Sequence, residues 1–110
     1  MATSKIPQVT NNSGTLYCKM PDGTLIQWGA DTITTGTQHG QIGYVGTLQK
    51  TFPISFVGNK PWVIVSPINS AGFWNASPMS ISKTGMTLTV AGDQLSGSTT
   101  ANWIAIGRWK

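Results

Sequence analysis

Charge is scarce in this chain. Only 9% of its 110 residues are Asp, Glu, Lys or Arg, against about 25% in an ordinary soluble domain. Glutamate is missing, and the acids are Asp22, Asp31 and Asp93. Acid–base catalysis needs convergent titratable groups, and three aspartates spread this widely would meet only by coincidence of folding. A serine–histidine–acid arrangement has no support beyond the existence of His39, the only histidine. With one histidine and one cysteine, a single chain cannot build a mononuclear metal cage. The arrangement left open is a threefold assembly gathering three copies of His39 on its axis. Gly36, Gly40, Gly43 and Gly46 lack the lysine and helix of a phosphate loop. These shortages argue against an enzyme and against a resident cofactor.

Other absences narrow the setting. A lone Cys18 excludes an intramolecular disulfide, and its place in Leu16-Tyr17-Cys18 reads as a small buried hydrophobe. No run approaches the roughly 20 apolar residues of a membrane span, so membrane insertion is not expected. The opening MATSKIPQVTNNSG has no apolar stretch of the signal-peptide kind. The net charge is +4, but Lys5, Lys19, Lys50, Lys60, Lys83, Arg108 and Lys110 are scattered along the sequence. Nucleic-acid binding favours a basic stripe, so no nucleic-acid partner is expected. Attraction to an anionic surface, such as a bacterial envelope, needs only the summed field.

What fills the space left by charge is glycine, serine, threonine and asparagine, a polar uncharged surface of the kind found on secreted or virion β-proteins. The length suits one domain, which buries roughly two-thirds of its unfolded surface. Helical periodicity is absent. Pro21-Asp22-Gly23 has tight-turn chemistry and is flanked by apolar runs, which predicts a hairpin of Thr15–Met20 with Thr24–Ala30. Further strands are expected at Leu48–Phe56, Trp62–Ser66 and Asn102–Trp109, and a second hairpin pairs Met79–Lys83 with Met86–Val90 across Thr84-Gly85. In NWIAIGRW, Trp103, Ala105, Gly107 and Trp109 share one face while Ile104 and Ile106 take the other. A strand apolar on both faces must be covered twice, most economically by a second sheet and another subunit. The expected fold is an all-β antiparallel sandwich. The Gly-rich segment Asp31–Thr47 reads as a long crossover loop. Residues 1–14 read as a linker or the tail of an upstream segment, with the domain proper at 15–110.

The run from Tyr17 to Gly29, YCKMPDGTLIQWG, resembles the opening of the C-terminal domain of phage tail fibres. Thr51-Phe52-Pro53-Ile54-Ser55-Phe56 resembles that family's central element, and Trp103-Ile104-Ala105-Ile106-Gly107 its closing strand. The order is right, and the three motifs span residues 15–110. Here the chain continues as Arg108-Trp109-Lys110 where the family often ends in an aromatic. The second half also resembles the H-type lectins, through the Phe52–Phe56 stretch, Pro61-Trp62-Val63 and the Trp103 strand, although no sugar-contacting residue carries over. The resemblance implies a homotrimeric sandwich at the distal end of a virion's tail fibre, made in the host cytoplasm. It would be joined to an upstream shaft and grip a bacterial surface glycan of lipopolysaccharide type. The alternative is a trimerising cap without receptor contact.

Within that frame Trp28, Phe52, Phe56, Trp62, Trp103, Ile104 and Ile106 are expected to be scaffold, in the core or at a subunit interface. Receptor contacts are sought in irregular segments. The first candidate is Ile68–Asn75, where Asn69, Phe73, Trp74 and Asn75 combine aromatic faces that stack on sugars with amides that bond hydroxyls. One of Phe73 and Trp74 is expected to cap the core, leaving the other available. His39 and Tyr44 form the second candidate, Asp93 and Gln94 the third.

Overall fold

The computed structural model of the chain describes residues 8–12, 15–39, 43–68, 74–93 and 97–110. Their strands are β1 (Gln8–Asn12), β2 (Thr15–Lys19), β3 (Thr24–Thr34), β4 (Thr37–His39), β5 (Gly43–Thr51), β6 (Trp62–Ile68), β7 (Trp74–Met79), β8 (Gly85–Gly92) and β9 (Ser98–Arg108). They build two antiparallel sheets, ordered β1-β2-β3-β9-β6 and β4-β5-β8-β7. The body is elongated, 59 × 26 × 18 Å.

The opening hairpin follows from its turn residues. Gly23 takes φ 103°, open to glycine alone at no steric cost. Its N–H donates to Met20 O at 3.0 Å, Met20 N–H donates to Thr24 O at 2.8 Å, and Asp22 Oδ1 accepts from Thr24 N–H at 2.9 Å. The hairpin then goes further than expected. β3 continues past Ala30 to Thr34, in register with β9 from Thr24↔Arg108 to Thr34↔Ser98. The segment Asp31–Thr47 is therefore mostly strand rather than crossover loop. Its threonines and isoleucine suit a pleated surface, and Gly46 sits where a Cβ would run into the backbone of Thr34. There glycine marks a close approach between strands, not a loop.

Two other boundaries shift. β5 stops at Thr51 instead of reaching Phe56, because Pro53 has no N–H to offer a ladder. The second hairpin exists, but Met79 closes β7 instead of opening a strand; Ser80 has φ 51°, and Ser82 Oγ accepts from Thr84 N–H and Gly85 N–H. Trp74 and Asn75 lie on β7, not in a loop.

Between the sheets lie Leu25, Ile33, Phe52, Phe56, Met86, Leu88, Val90, Ala101, Trp103 and Ala105. Phe52 meets Phe56 edge-on, centroids 5.1 Å apart, and Trp103 at 5.9 Å. Gln27, fully buried, clamps the Phe-Pro-Ile segment: its Nε2 donates to Ile54 O at 2.8 Å and its Oε1 accepts from Ile54 N–H at 3.1 Å. The Trp103 indole lies across Gly29, where a Cβ would sit 3.0 Å from the ring. Its Nε1 donates to Asp31 Oδ2 at 2.9 Å, and Asp31 Oδ1 pairs with Lys50 Nζ at 3.3 Å. The sequence Gln-Trp-Gly at 27–29 thus has a stated use for its first and third residues.

β9 has the two apolar faces its alternation requires. Ala101, Trp103 and Ala105 are buried, whereas Ile104 is half-buried and Ile106 38% exposed on the outer face. Cys18 is buried, and Phe52, Phe56 and Trp103 belong to the core as expected. Trp62 does not: it is 84% exposed, because the inward positions of β6 are Val63 and Val65 and the alternation turns Trp62 outward. Trp28 also faces outward, half-buried, in register with Ile104.

Candidate functional site

The two ends of the sandwich differ in content. At one end the chain comes in through β1, where Gln8 is in register with Lys19, beside the Pro21–Gly23 turn. This hairpin end also holds Arg108, in register with Thr24. The far end is where β3 and β9 finish at Thr34 and Ser98, β6 at Ile68, and β8 at Gly92.

At the far end Gly92 is in register with Tyr44 on one side and Trp74 on the other. A residue and its register partners point to the same face, so both aromatics flank one buried glycine. The Trp74 indole lies over it, and a Cβ there would be 2.7 Å from the ring. Tyr44 and Trp74 are half-buried, and Asp93, the next residue, is exposed. Asn75 is exposed on the opposite face of the same sheet, in register with Ala91. His39 closes β4, paired with Gly43 on the strand that carries Tyr44. The fold therefore brings Tyr44 and Trp74 together across Gly92, with Asp93 following at the end of β8, Asn75 on the other face and His39 one strand away. Asn69, Phe73 and Gln94 lie outside the described residues. At this end two buried threonines are used internally: Thr35 Oγ1 donates to Gly97 O at 3.1 Å and Thr99 Oγ1 to Ile68 O at 2.8 Å. An aromatic pair near a carboxylate can stack on a ring and accept hydroxyl hydrogen bonds. Among the described residues no three His, Cys, Asp or Glu side chains converge.

The hairpin end gathers what the sequence scatters. Lys19 and Lys110 flank Trp109, with Lys19 Nζ 5.0 Å and Lys110 Nζ 4.9 Å from its ring, and Arg108 precedes it on β9. Arg108 shares a cleft with Lys60, and Lys83 O accepts from Phe56 N–H at 2.8 Å nearby. Long-range strand pairing collects these side chains, so no basic run was visible along the chain. Asp22 is the acid among them. The Thr24 backbone N–H, then the Thr24 side chain, then the Arg108 charge hold its carboxyl below the usual carboxylate range. Also missed by sequence reasoning was Trp62 as an exposed aromatic. The signal was present in the alternation of WVIVS, whose two valines take the inner face.

A two-sheet sandwich with this strand order is the architecture of solved pyocin tail fibres. An N-truncated R1-type pyocin tail fiber matches at TM-score 0.68 and 16% identity, over 92% of this chain and 84% of that one. A C-terminal portion of a P. aeruginosa R1 pyocin fiber matches at TM-score 0.68 and 18% identity, over 92% of this chain. An R2 pyocin fiber portion matches at TM-score 0.57 and 15% identity. This chain spans only 28% and 26% of those two longer fibres. No curated protein matches by sequence. Residues 19–108 match the C-terminal domain profile of gp53-like tail fiber proteins, and the chain belongs to that family.

Proposed function

We propose that this domain is the receptor-binding tip at the distal end of a virion's tail fibre, holding a bacterial surface glycan of lipopolysaccharide type. The observation that carries the reading is polarity. The chain comes in at the hairpin end, and Tyr44, Trp74 and Asp93 stand at the other. A fibre shaft joined through β1 leaves the far end pointing away from the particle. Aromatic rings and a carboxylate are groups that recognise a neutral, hydroxyl-rich ligand. Replacing Trp74 by alanine is expected to lower binding of the assembled domain to host cells more than tenfold, since several weak sites acting together amplify each loss. The melting temperature should stay within about 5–10 °C. Normal cell binding by both Trp74→Ala and Tyr44→Ala would refute the reading.

A homotrimer is part of this proposal, and one observation favours it and the cap function together. The outer face of the five-stranded sheet carries two apolar rows across four strands, Leu16–Trp28–Ile104–Ile64 and Cys18–Ile26–Ile106–Trp62. Ile64 is 66% exposed. The next row, Ala30–Asn102–Ser66, is small or polar. A bounded apolar patch of this kind marks an association surface. Light scattering over a concentration series should give three times 11.7 kDa; a monomer at every concentration would refute the assembly.

A further inference from the structure

Trp62 ends one of those apolar rows, but its surroundings differ from the rest of the row. It stands on β6, the edge strand of its sheet, at the corner nearest the hairpin end. Two clefts open on either side of its ring, of about 340 and 510 Å³, within the range of ordinary small-ligand sites. The first is lined by Asn59, Lys60, Ile106 and Arg108, the second by Asn59, Lys60, Pro61 and Ile81. Lys60 therefore reaches both. Among the described residues it makes no ion pair, since the salt bridge there is Lys50–Asp31. Arg108 is held in place: its Nη2 donates to Asp22 O at 2.7 Å and its Nε to Lys110 O at 3.2 Å. Two of its five N–H donors are so used, and the guanidinium is pre-set at the cleft wall.

A second copy of the chain fits this corner poorly. Closing an apolar interface over Lys60 and Arg108 would strip water from two exposed cations, whereas Trp28, Ile104 and Ile64 can be covered without that cost. An exposed indole between two clefts with fixed cations and an amide has a different complement. The ring stacks on the C–H face of a sugar, Asn59 bonds its hydroxyls, and the cations meet a negative substituent on it.

We propose that Trp62, Asn59, Lys60 and Arg108 form a second binding site, for an anionic sugar residue carrying a carboxylate or a phosphate. This deepens the receptor-binding reading, on which it rests, by assigning the hairpin end to the charged part of a surface glycan and the far end to its neutral part. Polygalacturonate and phosphomannan supply the two anion chemistries, dextran a neutral polymer and polyglutamate an anionic polymer without sugar rings. Binding to the intact domain is measured by calorimetry, with light scattering on each variant. At least one anionic polysaccharide should bind, and which one does identifies the anion, while dextran and polyglutamate should bind at least tenfold more weakly. Trp62→Ala should weaken the bound polymer about tenfold and Lys60→Gln up to about fivefold. Both variants should keep the assembled mass. Trp74→Ala should bind the polymer normally, so failure at the far end and failure at this corner are told apart. Equal binding of polyglutamate would overturn the proposal in favour of an acidic polypeptide. A loss of assembled mass in Trp62→Ala would overturn it in favour of a subunit contact, and binding of neither anionic polysaccharide would overturn it outright.

Discussion

The hairpin end and the far end of this sandwich are fastened by different means. At the hairpin end the last residues are tied across the opening turn. Trp109 N–H donates to Gly23 O at 2.9 Å, its Nε1 to Met20 O at 2.8 Å, and Val57 N–H to Arg108 O at 2.9 Å. These bonds join residues more than fifty positions apart, and the bulky groups they hold are aromatic and cationic. At the far end the ties among the described residues are of another kind: Thr35 N–H to Gly97 O at 2.8 Å, Gly36 N–H to Val45 O at 3.0 Å, and threonine hydroxyls onto carbonyls. Aromatic and cationic groups are fixed at one end, backbone pairs and threonine hydroxyls at the other, and the buried core lies between them.

The strongest way to break that separation is to remove what both ends share. Trp103→Ala deletes a 3% exposed indole that lies across Gly29, packs tilted against Phe52 and bonds Asp31. A loss of about 3–5 kcal/mol is expected, against a total of roughly 5–15 kcal/mol for a domain. Urea unfolding, or failure to accumulate soluble protein, checks it. Trp109→Ala tests the hairpin end alone. Loss of its packing and of the bond to Met20 O should cost about 2 kcal/mol, read as a lower melting temperature with host-cell binding intact below it.

Trp28→Ala sharpens the comparison further. Since Trp28 lies on the outer face and not between the sheets, the fold should survive while the concentration for half-assembly rises about tenfold. An unfolded Trp28→Ala protein would return that residue to the core. The smallest effect belongs to Asp22, which is fully exposed. Its carboxyl is depressed, so the stabilisation it gives is present above the ordinary carboxylate range and is lost as pH falls through its folded value. Asp22→Asn should therefore lower the melting temperature slightly at neutral pH, and the difference from the unmodified protein should close as pH falls.

The parts of the fold written locally were the parts legible in the sequence. The turn at Pro21–Gly23 and the alternation of β9 each depend on neighbours within a few positions. What escaped depends on distant partners. Gly46 reads as a loop residue until Thr34 is seen pressed against it. Gln27 reads as a polar strand residue until Ile54 is found in its grip. At the candidate site, Tyr44, Trp74 and Asp93 were each picked from residue type, but their convergence on Gly92 comes from the pairing of β5, β8 and β7. The basic cluster was invisible for the same reason, as its members sit on separate elements. Trp62, expected in the core or at a subunit interface, stays out of the core because the phase of its own strand points it outward.

The position of β9 has a consequence for biosynthesis. It is the last of the nine strands in chain order, yet it lies between β3 and β6 in its sheet. Both neighbours must wait for it, so β3 is one-sided and β6 has no partner in its own sheet while the chain is still emerging from the ribosome. Chains grow from the N-terminus at about 5–20 residues per second, and the sheet closes only after nearly all of this domain has been made. A transcript cut short anywhere before residue 98 yields a product with two unpaired strand edges and an uncovered Leu25 and Phe56, marked for proteolysis instead of incorporation into a fibre. The placement of one strand makes closure of the sheet wait until β9 has been made.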